Sequence, residues 1–118
     1  MSGAPSRGDA LADLHDLRRI ALSLAGTTEA PHVDRVAFKV ARIYATLAPD
    51  GATANLKLSP AEQEFRCTVR PDAFAPVPGG WGRMGFTTVQ LAALNGEELL
   101  NVLEAAWRDA QPKPRRRR

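Results

Sequence analysis

The chain of 118 residues has one cysteine, Cys67, one tyrosine, Tyr44, and two histidines, His15 and His32. A single thiol cannot close an internal disulfide, and no paired Cys/His spacing suits a structural zinc site, so a reducing compartment is expected and the cytoplasm fits best. No stretch approaches the ~18 uncharged apolar residues that a membrane span needs, and nothing repeats at a solenoid period or reads as low complexity. The basic-then-apolar run from Arg18 to Gly26 imitates a secretory leader but is preceded by Asp9, Asp13 and Asp16 and is too short. His-x-x-x-His, Gly-x-Ser-x-Gly and the phosphate-cradling Gly-x-x-x-x-Gly-Lys-[Ser/Thr] are all missing. With so few reactive groups, the expectation is no catalytic residue, no metal, no cofactor and no enzymatic activity.

What remains, 44% hydrophobic and 25% charged residues, fits one globular domain. The formal charge of +3 belongs to one end: Lys113 and Arg115, Arg116, Arg117 and Arg118 hold five of the sixteen positive charges, and without them the balance is 11 against 13, or −2. Residues 1–8, small and polar, are expected to be disordered, 9–111 to form one α+β domain, and 112–118 to be a disordered basic tail.

Leu11, Leu14, Leu17, Ala21 and Leu24 recur at helical steps and end at Gly26, predicting a first helix. From Val36 the period changes to two: Val36-Phe38-Val40, Ile43-Ala45-Leu47 and Ala54-Leu56-Leu58 each alternate with polar or small residues, predicting three half-buried strands. Ala48-Pro49-Asp50-Gly51 carries the chemistry of a type I turn between the second and third. Ser59-Pro60-Ala61-Glu62 is a capping box opening a helix that carries Phe65 and ends by Arg70-Pro71. Residues 71–85, rich in proline and glycine, read as an ordered loop plugged by Trp81; it does not open a helix, so it has no phosphate site of that kind. Phe86–Leu91 reads as a strand, and Asn95 with Glu98 caps a last helix burying Leu99, Val102, Leu103, Ala106 and Trp107. The expected architecture is an antiparallel sheet of four or five strands with helices on one face, in α-β-β-β-α-β-α order.

Even-length hairpins place Lys39 opposite Tyr44 and Tyr44 opposite Lys57, an exposed row with Arg42 at the hairpin tip, Asn55 and Thr46 alongside and Arg83 at the entrance to the last strand. Lysines around a ring supply phosphate neutralisation and a stacking surface; any solvated sheet face also carries such residues. Two other residues offer less. His32, turn-like between Glu29 and Asp34, belongs to no recognisable ligand set, and Cys67 has no adjacent base to activate it.

The chain resembles the MmcQ/YjbR family of small bacterial proteins through Phe38-Lys39-Val40, Ile43 to Leu47, Asn55-Leu56-Lys57-Leu58-Ser59-Pro60-Ala61-Glu62-Gln63, Gly79-Gly80-Trp81-Gly82-Arg83-Met84-Gly85-Phe86-Thr87-Thr88-Val89-Gln90-Leu91 and Glu104-Ala105-Ala106-Trp107. The likeness spans residues 11 to 112. It implies a CyaY-like (frataxin-like) α+β fold and DNA binding, with no catalytic residues to carry over. Where the family commonly has Gly-Lys at the first hairpin turn this chain has Ala41-Arg42, and the arginine tail lies outside the match. The expected contacts to DNA or another nucleic acid are Lys39, Arg42, Tyr44, Lys57 and Arg83, aided by Arg115 to Arg118. The alternative is a protein-interaction or small-ligand module using the loop from Phe74 to Trp81.

Overall fold

The structure, a computed structural model, describes residues 10–112; the expected disordered N-terminus and the arginines from Arg115 to Arg118 lie outside the described residues. The elements are α1 (Leu14–Ser23), β1 (Thr28–His32), β2 (Arg35–Lys39), β3 (Ile43–Leu47), β4 (Thr53–Lys57), α2 (Pro60–Val69), β5 (Phe74–Pro76), α3 (Gly80–Arg83), β6 (Phe86–Gln90) and α4 (Gly96–Asp109). The fold is α+β, and every strand pairing is antiparallel, in spatial order β1-β2-β3-β4-β6-β5. Six strands replace the expected four or five, because the edges of the sheet are β1, exposed along its whole length, and β5, only three residues long. His32 therefore closes β1, and the turn follows it at Val33, which has φ of 60° and is 94% exposed.

Local chemistry sets the helix limits. Asp13 and Asp16 form a reciprocal capping box that starts α1 three residues after Leu11, which is left exposed. Ser59 accepts from the Glu62 amide to open α2 with Pro60 at its first position, and Asn95 and Glu98 form the second reciprocal box at the head of α4. The turn between β3 and β4 closes through the Gly51 amide donating to Ala48 O, and Gly51 takes φ of 72°.

One face of the sheet carries Val36, Phe38, Ala45, Leu47, Ala54, Leu56, Val89 and Phe74. Helix α4 crosses β3 and β4 on that face, with α1 packed beside it, and Leu17, Ile20, Leu99, Val102 and Leu103 complete the core. Each fully buried leucine there contributes about 1.5–3 kcal/mol of transfer free energy. Trp107 is half-buried and donates its indole N–H to Ala25 O, tying α4 to the end of α1.

The pairing of β2 with β3 holds the main departure from the expected register. Phe38 faces Ala45 but Lys39 faces Ile43, so the register steps by one and Tyr44 has no partner across the strand. Such a bulge turns the extra residue to the other side of the sheet. Tyr44 is consequently 0% exposed beneath α1, with its hydroxyl donating to Ala21 O at 3.3 Å and sharing a 2.8 Å hydrogen bond with Thr27 Oγ1. The expected Lys39–Tyr44–Lys57 row does not exist: the two lysines stay on the open face and the ring leaves it.

Candidate functional site

The face of the sheet away from α1 and α4 is built from the alternate residues: Ala30 and His32 of β1, Arg35, Ala37 and Lys39 of β2, Ile43 and Thr46 of β3, Asn55 and Lys57 of β4, Phe86 and Thr88 of β6. No strand position on it is acidic. Glu29 is the one carboxylate in any of the six strands, and it points to the helix side, where it pairs with Arg18 at 2.9 Å. Three cations and a histidine thus share a surface without opposing charge on the strands.

These cations differ in what they already hold. Arg35 is half-buried and lies along the sheet, its Nε donating to Thr46 Oγ1 at 2.8 Å and its Nη2 to Thr46 O at 3.2 Å. Lys57 reaches Asp109 at 3.6 Å, and Arg42 donates to the carbonyls of Asp109 and Gln111, so both fasten the C-terminal end of α4. Lys39 and Arg83 are exposed and make no ion pair among the described residues.

The aromatic surface that Tyr44 does not provide comes from the glycine-rich segment. That segment does open a helix, the single turn α3, and Trp81 upon it is 61% exposed instead of plugging the core. Its ring meets Phe86 edge-on, centroids 5.4 Å apart at 83°. Gly82 and Gly85 let this turn lie against the backbone, since a Cβ would overlap Val77 O at the first and Leu58 O at the second. Gln63 of α2 locks it from the other side, its Nε2 donating to Gly82 O, Phe86 O and Thr87 Oγ1 at 3.0–3.1 Å.

Trp81 stands between two clefts. One, of about 380 Å³, is lined by His32, Ile43, Thr46, Asn55, Val77 and Phe86. The other, of about 280 Å³, has Arg42, Lys57, Met84 and Asp109 on its walls. Phe74 is not part of either: it is 4% exposed on the helix side, with the Arg66 guanidinium 6.0 Å from its ring. The expected Phe74–Trp81 loop site is therefore divided by the sheet.

Sequence reasoning missed Arg35 and Phe86 as members of the open face. Arg35 was accessible from the same period of two that places Lys39, and Phe86 from its position two before Thr88. The rest of the chain offers little chemistry. Among the described residues no cluster of three or more His, Cys, Asp or Glu side chains suits a metal ion. Cys67 is half-buried, and burial pushes its thiol pKa up, away from the reactive thiolate. No helix of the described chain is long and apolar enough to cross a membrane.

The fold is shared with a Deinococcus radiodurans protein of known crystal structure that carries a DUF419 domain: the TM-score is 0.67 at 24% identity, over 81% of this chain and 76% of that one. No curated protein sequence matches. The family model described as YjbR matches residues 22–109, through the sheet, the tryptophan-bearing turn and α4, and the chain belongs to that family.

Proposed function

We propose that the protein is a cytoplasmic nucleic-acid-binding protein rather than an enzyme, and that it holds its ligand weakly and without strong sequence preference across the open sheet face. The observation that carries this reading is the segregation of charge: Arg35, Lys39 and Lys57 lie on a face whose strand positions include no carboxylate, beside an exposed tryptophan. A phosphate backbone is neutralised by such a surface, and an aromatic ring next to it offers stacking. A handful of phosphate contacts supports dissociation constants on the order of 10⁻⁴–10⁻⁶ M at physiological salt. Lys39 and Arg83 are free to meet phosphates, whereas Arg42 and Lys57 must share their charge with the end of α4.

The test is a salt titration of binding to a short DNA probe, wild type against Lys39→Ala/Arg83→Ala. Each lost phosphate contact lowers the slope of log K against log salt by about 0.7 on single strands and about 0.9 on duplex. Two contacts give a fall of about 1.4–1.8. An unchanged slope with a folded variant would remove the sheet face from the interface.

A further inference from the structure

We infer, resting on the nucleic-acid reading above, that the ligand is an unpaired strand and that the cleft beside Trp81 receives one of its bases. Stacking needs a base with an open face, and within a duplex both faces of every base inside the end pairs are covered by its neighbours. An indole 61% exposed at the mouth of a cleft, braced on its other side by the edge of Phe86, is built for a flat partner and meets none along the interior of a paired helix.

The polar wall of that cleft is arranged to donate. Thr88 Oγ1 donates to Asn55 Oδ1 at 3.0 Å, which fixes the orientation of the amide and leaves its NH₂ for the cleft. Arg35 Nε donates to Thr46 Oγ1, so the threonine hydroxyl has its own proton left to give. Together with the exposed His32, these groups complement the carbonyl oxygens and ring nitrogens of a base's Watson–Crick edge, which pairing covers and an unpaired strand leaves open. On the far side of Trp81 the second cleft presents Arg42 and Lys57, and Lys39 stands across the strand from Ile43, which with Trp81 and Phe86 lines both clefts. The base thus lies against ring and donors, with Lys39 open to an adjoining phosphate and Arg42 and Lys57 sharing theirs with the end of α4.

The experiment uses the full chain carrying Trp107→Phe, so that Trp81 is the sole tryptophan reporter, with three probes of one sequence: a single-stranded DNA dodecamer, the corresponding RNA and the blunt DNA duplex. The expected result is quenching of Trp81 emission by either unpaired probe and weaker binding of the duplex. Trp81→Leu should lose on the order of 5- to 150-fold in affinity for the unpaired probes and little for the duplex, and Trp81→Phe should recover most of it. Equal binding of all three probes with silent Trp81 emission overturns this inference while leaving the basic-face reading standing. Failure of every probe to bind at low salt overturns both. Quenching by a free mononucleotide as strong as that by the dodecamer at equal base concentration also overturns it, in favour of a small-molecule site.

Discussion

The buried hydroxyl of Tyr44 makes the register step in the sheet measurable. In the folded protein the phenol bonds Thr27 and Ala21 beneath α1, and burial raises its pKa above the ordinary 10.0. Tyr44→Phe keeps the ring and removes both bonds. Because Ala21 O also accepts from the Leu24 amide, no carbonyl is left bare, so the cost at neutral pH is about 1–2 kcal/mol, a fall in Tm of roughly 4–16 °C for a domain of this size. The pH dependence is more specific. With the folded pKa raised, the unfolded chain ionises first as pH climbs, so the stabilisation is complete below about pH 10 and drains away from there until the folded phenol ionises too. Within that window the wild type loses up to about 1.4 kcal/mol per pH unit from this group alone, and the phenylalanine variant loses none of it. Denaturation midpoints of both proteins from roughly pH 8 to 11 should therefore converge, and the tyrosinate absorbance of the native protein, which reports this one tyrosine, should rise later than that of the unfolded chain. Parallel stability curves, or a native phenol that titrates like free tyrosine, would place Tyr44 back on the solvent face and restore the unbroken register.

Two further outcomes concern the tryptophan-bearing turn and the thiol. Gly82→Ala drives a methyl group into Val77 O and should cost about 1–3 kcal/mol in thermal denaturation, shifting Trp81 emission as the turn is displaced; a wild-type melt would mean that the backbone contact is not tight. Cys67, half-buried with a raised pKa, should react with a thiol reagent well below the rate of a free cysteine at neutral pH and reach that rate in denaturant.

Most of the fold was legible wherever burial on one side imposed a period. Helix α4, with its capping box and its buried Leu99, Val102, Leu103 and Ala106, and the alternating β4 follow directly from spacing. Strand β1 left no such trace: Thr28, Glu29, Ala30, Pro31 and His32 are all exposed at the sheet edge, so nothing alternates, and Pro31 reads as a breaker. The three residues of β5 and the four of α3 are too short to show any period. The exposed row was misread at Tyr44. A count of two places Tyr44 with Thr46, and only a bulge, invisible to periodicity, carries it across the sheet while Ile43 takes the open side. Trp81 failed for the opposite reason: large apolar side chains are usually buried, and this one is held out by a backbone turn that Gly82 and Gly85 permit.

Net charge is the wrong quantity for judging the proposed interface. The body of the chain is slightly acidic, yet many of its carboxylates are held on the helical side and in the loops: Asp13 and Asp16 cap α1, Glu62 pairs with Arg66, Asp72 and Glu98 hold Arg70, and Glu104 faces Arg108. The Arg70 guanidinium keeps the Asp72 carboxyl below its ordinary range, so that charge is already committed at neutral pH. At physiological salt, fields between exposed charges decay over about 8 Å. A phosphate at the open face therefore responds to Lys39 and Arg83 more than to acids beyond the sheet. Asp109 stands closer, at the edge of the Lys57 cleft. On the proposed nucleic-acid reading it marks the side where a strand would have to displace an internal ion pair, and the stronger attraction would lie towards Lys39 and the Trp81 turn.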